Sequence, residues 1–129
     1  MKYILLMSGS KAGVDAYRMW SRKDIDAHMA VLTSLTRELT ESGEFVATQS
    51  LAPPHEAKAV RGLKEGTPMT DGIFPESKEF LLGYWIIDVA TPERAYEIAG
   101  RITAAPVPGG VTTNMQIEVR QLPINAPQP

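Results

Sequence analysis

The sequence predicts an α+β fold, a β-α-β-β-α-β unit carrying an extra hairpin strand. Three observations lead there. Ser21 and Thr91 head two segments with helical character, apolar β-favouring runs stand before, between and after them, and turn residues divide the central stretch. At 129 residues the chain makes one domain with room for a real core. That domain is expected over residues 1–122, followed by a tail at 123–129 in which Pro123, Pro127 and Pro129 discourage regular structure.

Lys2-Tyr3-Ile4-Leu5-Leu6-Met7 is a short apolar run closed by Ser8-Gly9-Ser10, which suits a buried strand. Ser8 to Trp20 has two glycines and no sustained period, so a loop with a short helical turn is expected. Ser21 then caps a helix, with Asp24 in the place of the usual capping-box Glu. Ile25, His28, Leu32, Leu35 and Leu39 repeat along one face, and Gly43 ends it. Glu44 to Leu51 favours extended structure and is stopped by Pro53-Pro54. Ala57 to Leu63 alternates as a strand, Lys64-Glu65-Gly66 turns, and Thr67 to Thr70 forms a short return strand. Asp71-Gly72 reads as a second turn. Leu81 to Val89 is the strongest strand by composition. Thr91 with Pro92 and Glu93 opens a second helix reaching about Ile102, Pro106 to Gly110 is loop, and Met115 to Leu122 alternates as the last strand. This is the ferredoxin-like arrangement, both helices on one face of a mainly antiparallel sheet. The other face then needs a cover, and a second copy of the chain is the obvious one.

Composition narrows the function. Thirteen Lys and Arg against fifteen Asp and Glu leave a net charge of −2, which argues against a nucleic-acid partner. The absence of cysteine removes disulfides, thiolate nucleophiles and thiolate metal sites. With two isolated histidines in no ligand pattern, neither a metal nor any other cofactor is expected. No apolar stretch approaches the roughly 20 residues of a membrane span, and no secretory segment is recognisable, so a cytoplasmic protein without membrane partners is expected.

The segment Thr70-Asp71-Gly72-Ile73-Phe74-Pro75-Glu76-Ser77-Lys78-Glu79, followed by Leu82-Gly83-Tyr84, resembles the signature of the YCII-related, DGPF-type family, close to T-D-G-P-F-x-E-[ST]-K-E-x-L-G-G-Y. Met1 to Leu6, Leu51-Ala52-Pro53-Pro54, Ala59-Val60-Arg61 and Ile117-Glu118-Val119-Arg120 are similar to other stretches of that family, so the resemblance covers nearly all of residues 1–122. Ile73 replaces the motif's proline, and Leu82 the first glycine of its Gly-Gly pair. The resemblance implies a ferredoxin-like protomer dimerising into an α+β barrel, with a cleft near the signature loop. For function it implies less. Shorter relatives are proposed to use a His–Asp pair, one acts as a dehydrochlorinase on a chlorinated hydroquinone, and some related domains accompany sigma-factor-like regulators.

The candidate residues each carry two accounts. Asp71 is an Asx-turn residue or a general base tuned by Lys78 or Arg61. Glu76, Lys78 and Glu79 are a solvated charged loop or, beside Phe74 and Tyr84, a holder for an acidic or phenolic small molecule. His28, on the apolar stripe of its helix, belongs to the core, to a dimer seam, or to a cleft as a proton exchanger. His55 follows Pro53-Pro54 in an expected exposed loop. Lys11, Arg18, Arg22 and Lys23 outnumber Asp15, a patch that is solvated surface or draws an anion toward the cleft. The expected cleft is bounded by His28, Arg61, Asp71, Lys78 and Tyr84. It serves a cofactor-free lyase or isomerase, with Asp71 or His28 moving protons and Arg61 or Lys78 placing an anion. The alternatives are a non-catalytic ligand-binding or regulatory module, and a structural homodimer.

Overall fold

The computed structural model describes residues 1–72, 79–109 and 115–123. In chain order its elements are β1 (Lys2–Gly9), α1 (Lys11–Tyr17), α2 (Arg22–Ser42), β2 (Phe45–Ser50), a single 3₁₀ turn (Pro54–Glu56), β3 (Lys58–Lys64), β4 (Thr67–Gly72), β5 (Phe80–Asp88), α3 (Pro92–Thr103) and β6 (Ile117–Gln121). The main sheet has the order β2-β5-β1-β6, antiparallel throughout.

Capping chemistry sets the helix starts. The Ser21 hydroxyl accepts from the Asp24 N–H at 3.1 Å and donates to the Asp24 carboxylate at 2.8 Å, so the shorter acid still closes a reciprocal cap. Thr91 accepts from the Arg94 N–H, with Pro92 in the first turn of α3. Gly43 ends α2 at φ 81°, where a side chain would be strained. Between β1 and α2 the expected loop is largely helix. Ser10 caps α1 by accepting from Gly13, which offsets the low helix propensity of that glycine.

Two expectations for the middle of the chain are corrected. β3 and β4 form a separate two-stranded sheet rather than adding a strand to the main one. Asp71-Gly72 is not a turn: β4 runs through it, and Asp71 lies opposite Ala59 in the ladder. A bulge between Val60 and Leu63, with Gly62 at φ 70°, lets the hairpin pair along most of its length, so the backbone at Asp71 is extended and Asp71-Gly72 does not reverse the chain. Every residue of both hairpin strands is exposed.

The core lies between the sheet and the two longer helices. Tyr3 and Leu5 of β1 and Trp85 and Ile87 of β5 meet Leu35 and Leu39 of α2 and Ala95, Ile98, Ala99 and Ile102 of α3. Phe45 packs edge-on against Trp85, ring centroids 6.2 Å apart. The side chains that alternate with these, Ile4, Leu6, Leu82, Tyr84 and Ile86, point to the face without helices and are half-buried. Gly83 sits where strands crowd: a Cβ there would stand 2.7 Å from the Gln49 carbonyl oxygen and 3.1 Å from Met7 Cε. That crowding gives a steric reason for the glycine before Tyr84.

Ion pairs pin the helix layer. Arg94 of α3 donates from Nε and Nη2 to both oxygens of Glu44, at 2.9 and 3.0 Å, a two-point contact across the α2–β2 connection. The Arg94 guanidinium holds the Glu44 carboxyl below its ordinary value. Arg101 makes a similar fork onto Glu38 of α2 at 2.9 and 2.6 Å, and its hydrogen bonds hold that carboxyl down as well. Among the described residues no helix is long and apolar enough to cross a membrane.

Candidate functional site

Antiparallel pairing collects the chain connections at one end of the sheet. Gly9 at the close of β1 lies opposite Phe80 at the start of β5, Ser50 at the close of β2 opposite Gly83, and Met7 opposite Ile117 at the start of β6. The segment after β2 is held there by the Leu51 N–H donating to the Leu82 carbonyl at 2.8 Å. α2 runs back antiparallel to β2, so its N-terminal turns belong to the same end, as does the close of α3.

Here a cleft of about 350 Å³ opens, lined by Leu51, Ala52, Pro53, Pro54, Glu56, Ala57, Phe80 and Leu81. Its wall is mostly apolar, with Glu56 as the one ionisable side chain in it. Phe80 and Leu81 directly follow Glu79, the last residue of the signature stretch, so the cleft flanks that stretch in sequence. Prolines stiffen the opposite wall, which lowers the entropy lost when a ligand is enclosed. The 3₁₀ turn within it presents His55, whose Nδ1 accepts a hydrogen bond from Arg18 Nη2 at 3.3 Å. Arg18 leaves the end of α1, so this contact ties that short helix to the cleft wall.

Nearby, His28 is half-buried on α2 and donates from Nδ1 to the Pro106 carbonyl oxygen at 2.9 Å. Pro106 follows α3, so the bond joins the two long helices at this end. A carbonyl oxygen only accepts, so Nδ1 carries a proton in this contact, and in the neutral ring Nε2 is then the proton acceptor. Trp20 stands edge-on to the imidazole at 5.4 Å, and Tyr17 packs on Trp20 at 4.9 Å.

The other expected site residues are dispersed. Asp71 and Arg61 are exposed on the hairpin, Asp71 close to its open end and Arg61 within the bulge. Tyr84 lies on the sheet face turned away from α2, so the sheet separates it from His28. None of these four lines the cleft. Lys78 and Glu76, with Phe74, lie outside the described residues. Sequence reasoning missed the cleft wall itself. Its signals were the Leu51-Ala52-Pro53-Pro54 run and the apolar start of β5, which read as strand ends rather than as two sides of one cavity. Among the described residues no cluster of His, Asp or Glu is placed to hold a metal ion.

The chain is 31% identical over 108 residues to an uncharacterized protein of Rhizobium meliloti, an alignment spanning 84% of this chain and 83% of the relative. The sequence profile of the YCII-related domain matches residues 1–118, from β1 to the start of β6. The chain belongs to the YCII-related domain family.

Proposed function

We propose that this protein is a ferredoxin-like homodimer that binds a small anionic or phenolic molecule in the cleft beside the signature stretch. The observation carrying this reading is the cleft itself, apolar on both walls and formed where the connections of β1, β2 and β5 converge. A cavity of about 350 Å³ suits a molecule the size of a substituted benzene ring, at the lower end of ordinary ligand sites. The direct test is protein-observed NMR with 4-hydroxybenzoate and related phenols. Shifts at the Ala57 and Leu81 amides are expected, and their absence across the series would end this reading.

Dimerisation is supported by the face without helices. Ile4, Leu6, Tyr84 and Ile86 form an apolar centre there, edged by Glu118 and Arg120 of β6. Pairing two such faces into a barrel removes them from water, worth about 25 cal/mol per Å², and a stable interface buries more than about 1,000 Å². Sedimentation velocity at micromolar concentration should give a dimer that Ile86→Glu converts to monomer. A folded wild-type monomer would refute it.

A catalytic use of the same end has one observation in its favour. The Pro106 contact leaves His28 Nε2 able to take a proton, as a cofactor-free lyase or isomerase requires. Asp71, exposed on the hairpin, is the alternative proton-transfer group. Asp71→Asn should then abolish turnover while changing stability by less than about 2 kcal/mol.

A further inference from the structure

We propose that Arg18 and His55 form the anion-binding head of the cleft, so that its ligand is a small carboxylic acid with an apolar body. This rests on the cleft reading above and names the ligand's polar end. Arg18 Nη2 lies 3.3 Å from His55 Nδ1. A guanidinium has no acceptor, so it must be the donor, and Nδ1 must carry a lone pair. His55 is therefore neutral, with its proton on Nε2. The remaining guanidinium N–H groups of Arg18 are all donors, and His55, whose Nε2–H points away from them, serves to hold the guanidinium in place. The complement of these donors is an anion that accepts several hydrogen bonds at once, and a carboxylate fits a planar fork best.

The surroundings support this. Arg22, Arg94, Arg101 and Arg120 each pair with a carboxylate of the protein. Arg18, like Arg37 and Arg61, makes no ion pair with a carboxylate among the described residues; Arg18 alone of these three contacts a residue of the cleft's 3₁₀ turn, the ring of His55. His55 lies between Pro54 and Glu56, both of which line the cleft. A carboxylate held by Arg18 beside His55 thus has an apolar cavity next to it for the rest of the molecule. Glu56 repels an anionic head and so turns the acid group toward the Arg18 and His55 side of the wall. Lys11, also on α1, adds little to this field, because it is paired with Asp15 at 3.9 Å.

The experiment compares 4-chlorobenzoate with 4-chlorobenzamide, equal in shape and differing in charge, by calorimetry on the full chain. The wild type should bind the acid about tenfold more tightly or better, a gap of about 1.4 kcal/mol. Arg18→Ala should abolish that preference and leave amide binding unchanged, and His55→Ala should reduce it. Ala57→Phe, which fills the cavity, should remove both ligands; circular dichroism establishes that each variant is folded. Equal binding of acid and amide by the wild type, or a preference that survives Arg18→Ala, would overturn the anion head and leave the cleft standing. If neither compound binds, the cleft reading and the head fail together for this class.

Discussion

His28 Nδ1 and the Pro106 carbonyl oxygen lie 2.9 Å apart, so the first turns of α2 are tied to the segment that leaves α3. His28→Ala removes the donor and exposes the Trp20 edge that packs on it. A loss of about 1 kcal/mol is expected in urea unfolding, the net worth of one hydrogen bond. Nitrogen-15 spectra at neutral pH should show His28 protonated on Nδ1; the opposite tautomer would contradict the contact.

Glu44 and Arg94 make stability depend on acid. The folded carboxyl titrates below its ordinary value of 4.5, held there by the Arg94 hydrogen bonds. The unfolded chain therefore takes up the proton first as pH falls. The stabilisation is complete above about 4.5 and disappears as pH drops through the lower folded value. Glu44→Gln should cost about 1 kcal/mol at neutral pH and flatten the fall in Tm on the acid side. Melting curves between about pH 3 and 7 decide it.

Gly83→Ala should destabilise by about 1–3 kcal/mol, because the new methyl meets the Gln49 carbonyl and must push β2 from β5. Gly100→Ala, on α3 with open space around its Cα, provides the contrast: it should be neutral or mildly stabilising. Equal effects from the two would exclude the steric account.

Leu39 is fully buried, at 0% exposure, between α2 and the sheet. Leu39→Ala should cost about 2–5 kcal/mol in denaturant unfolding. A loss under about 1 kcal/mol would mean that the core closes over the gap.

Much of this architecture was legible because it depends on local chemistry. Ser21, Gly43 and Thr91 bound their helices through caps that involve neighbours a few residues away, and the stripe through Leu35 and Leu39 does pack inward. Asp71 was misread for the opposite reason. Asp-Gly is a good turn by local preference, yet the partner strand from Lys58 extends far enough to keep it in the ladder. The cleft is less legible still, since Pro53 and Phe80 meet only through sheet register. The same holds for Arg18 and His55, 37 positions apart and joined by a single contact.

The position of β1 also has a kinetic consequence. It is central in the sheet, yet its neighbours are β5 and β6, which come last among the strands. During synthesis the apolar run from Tyr3 to Met7 thus emerges long before anything it can pair with, while α2 can already coil behind it. Pairings that span most of the chain close slowly, because loop entropy must be met before contacts repay it. Until β5 is made, the nascent chain consequently presents an unpaired hydrophobic strand, a segment suited to capture by a chaperone or by another unfinished copy.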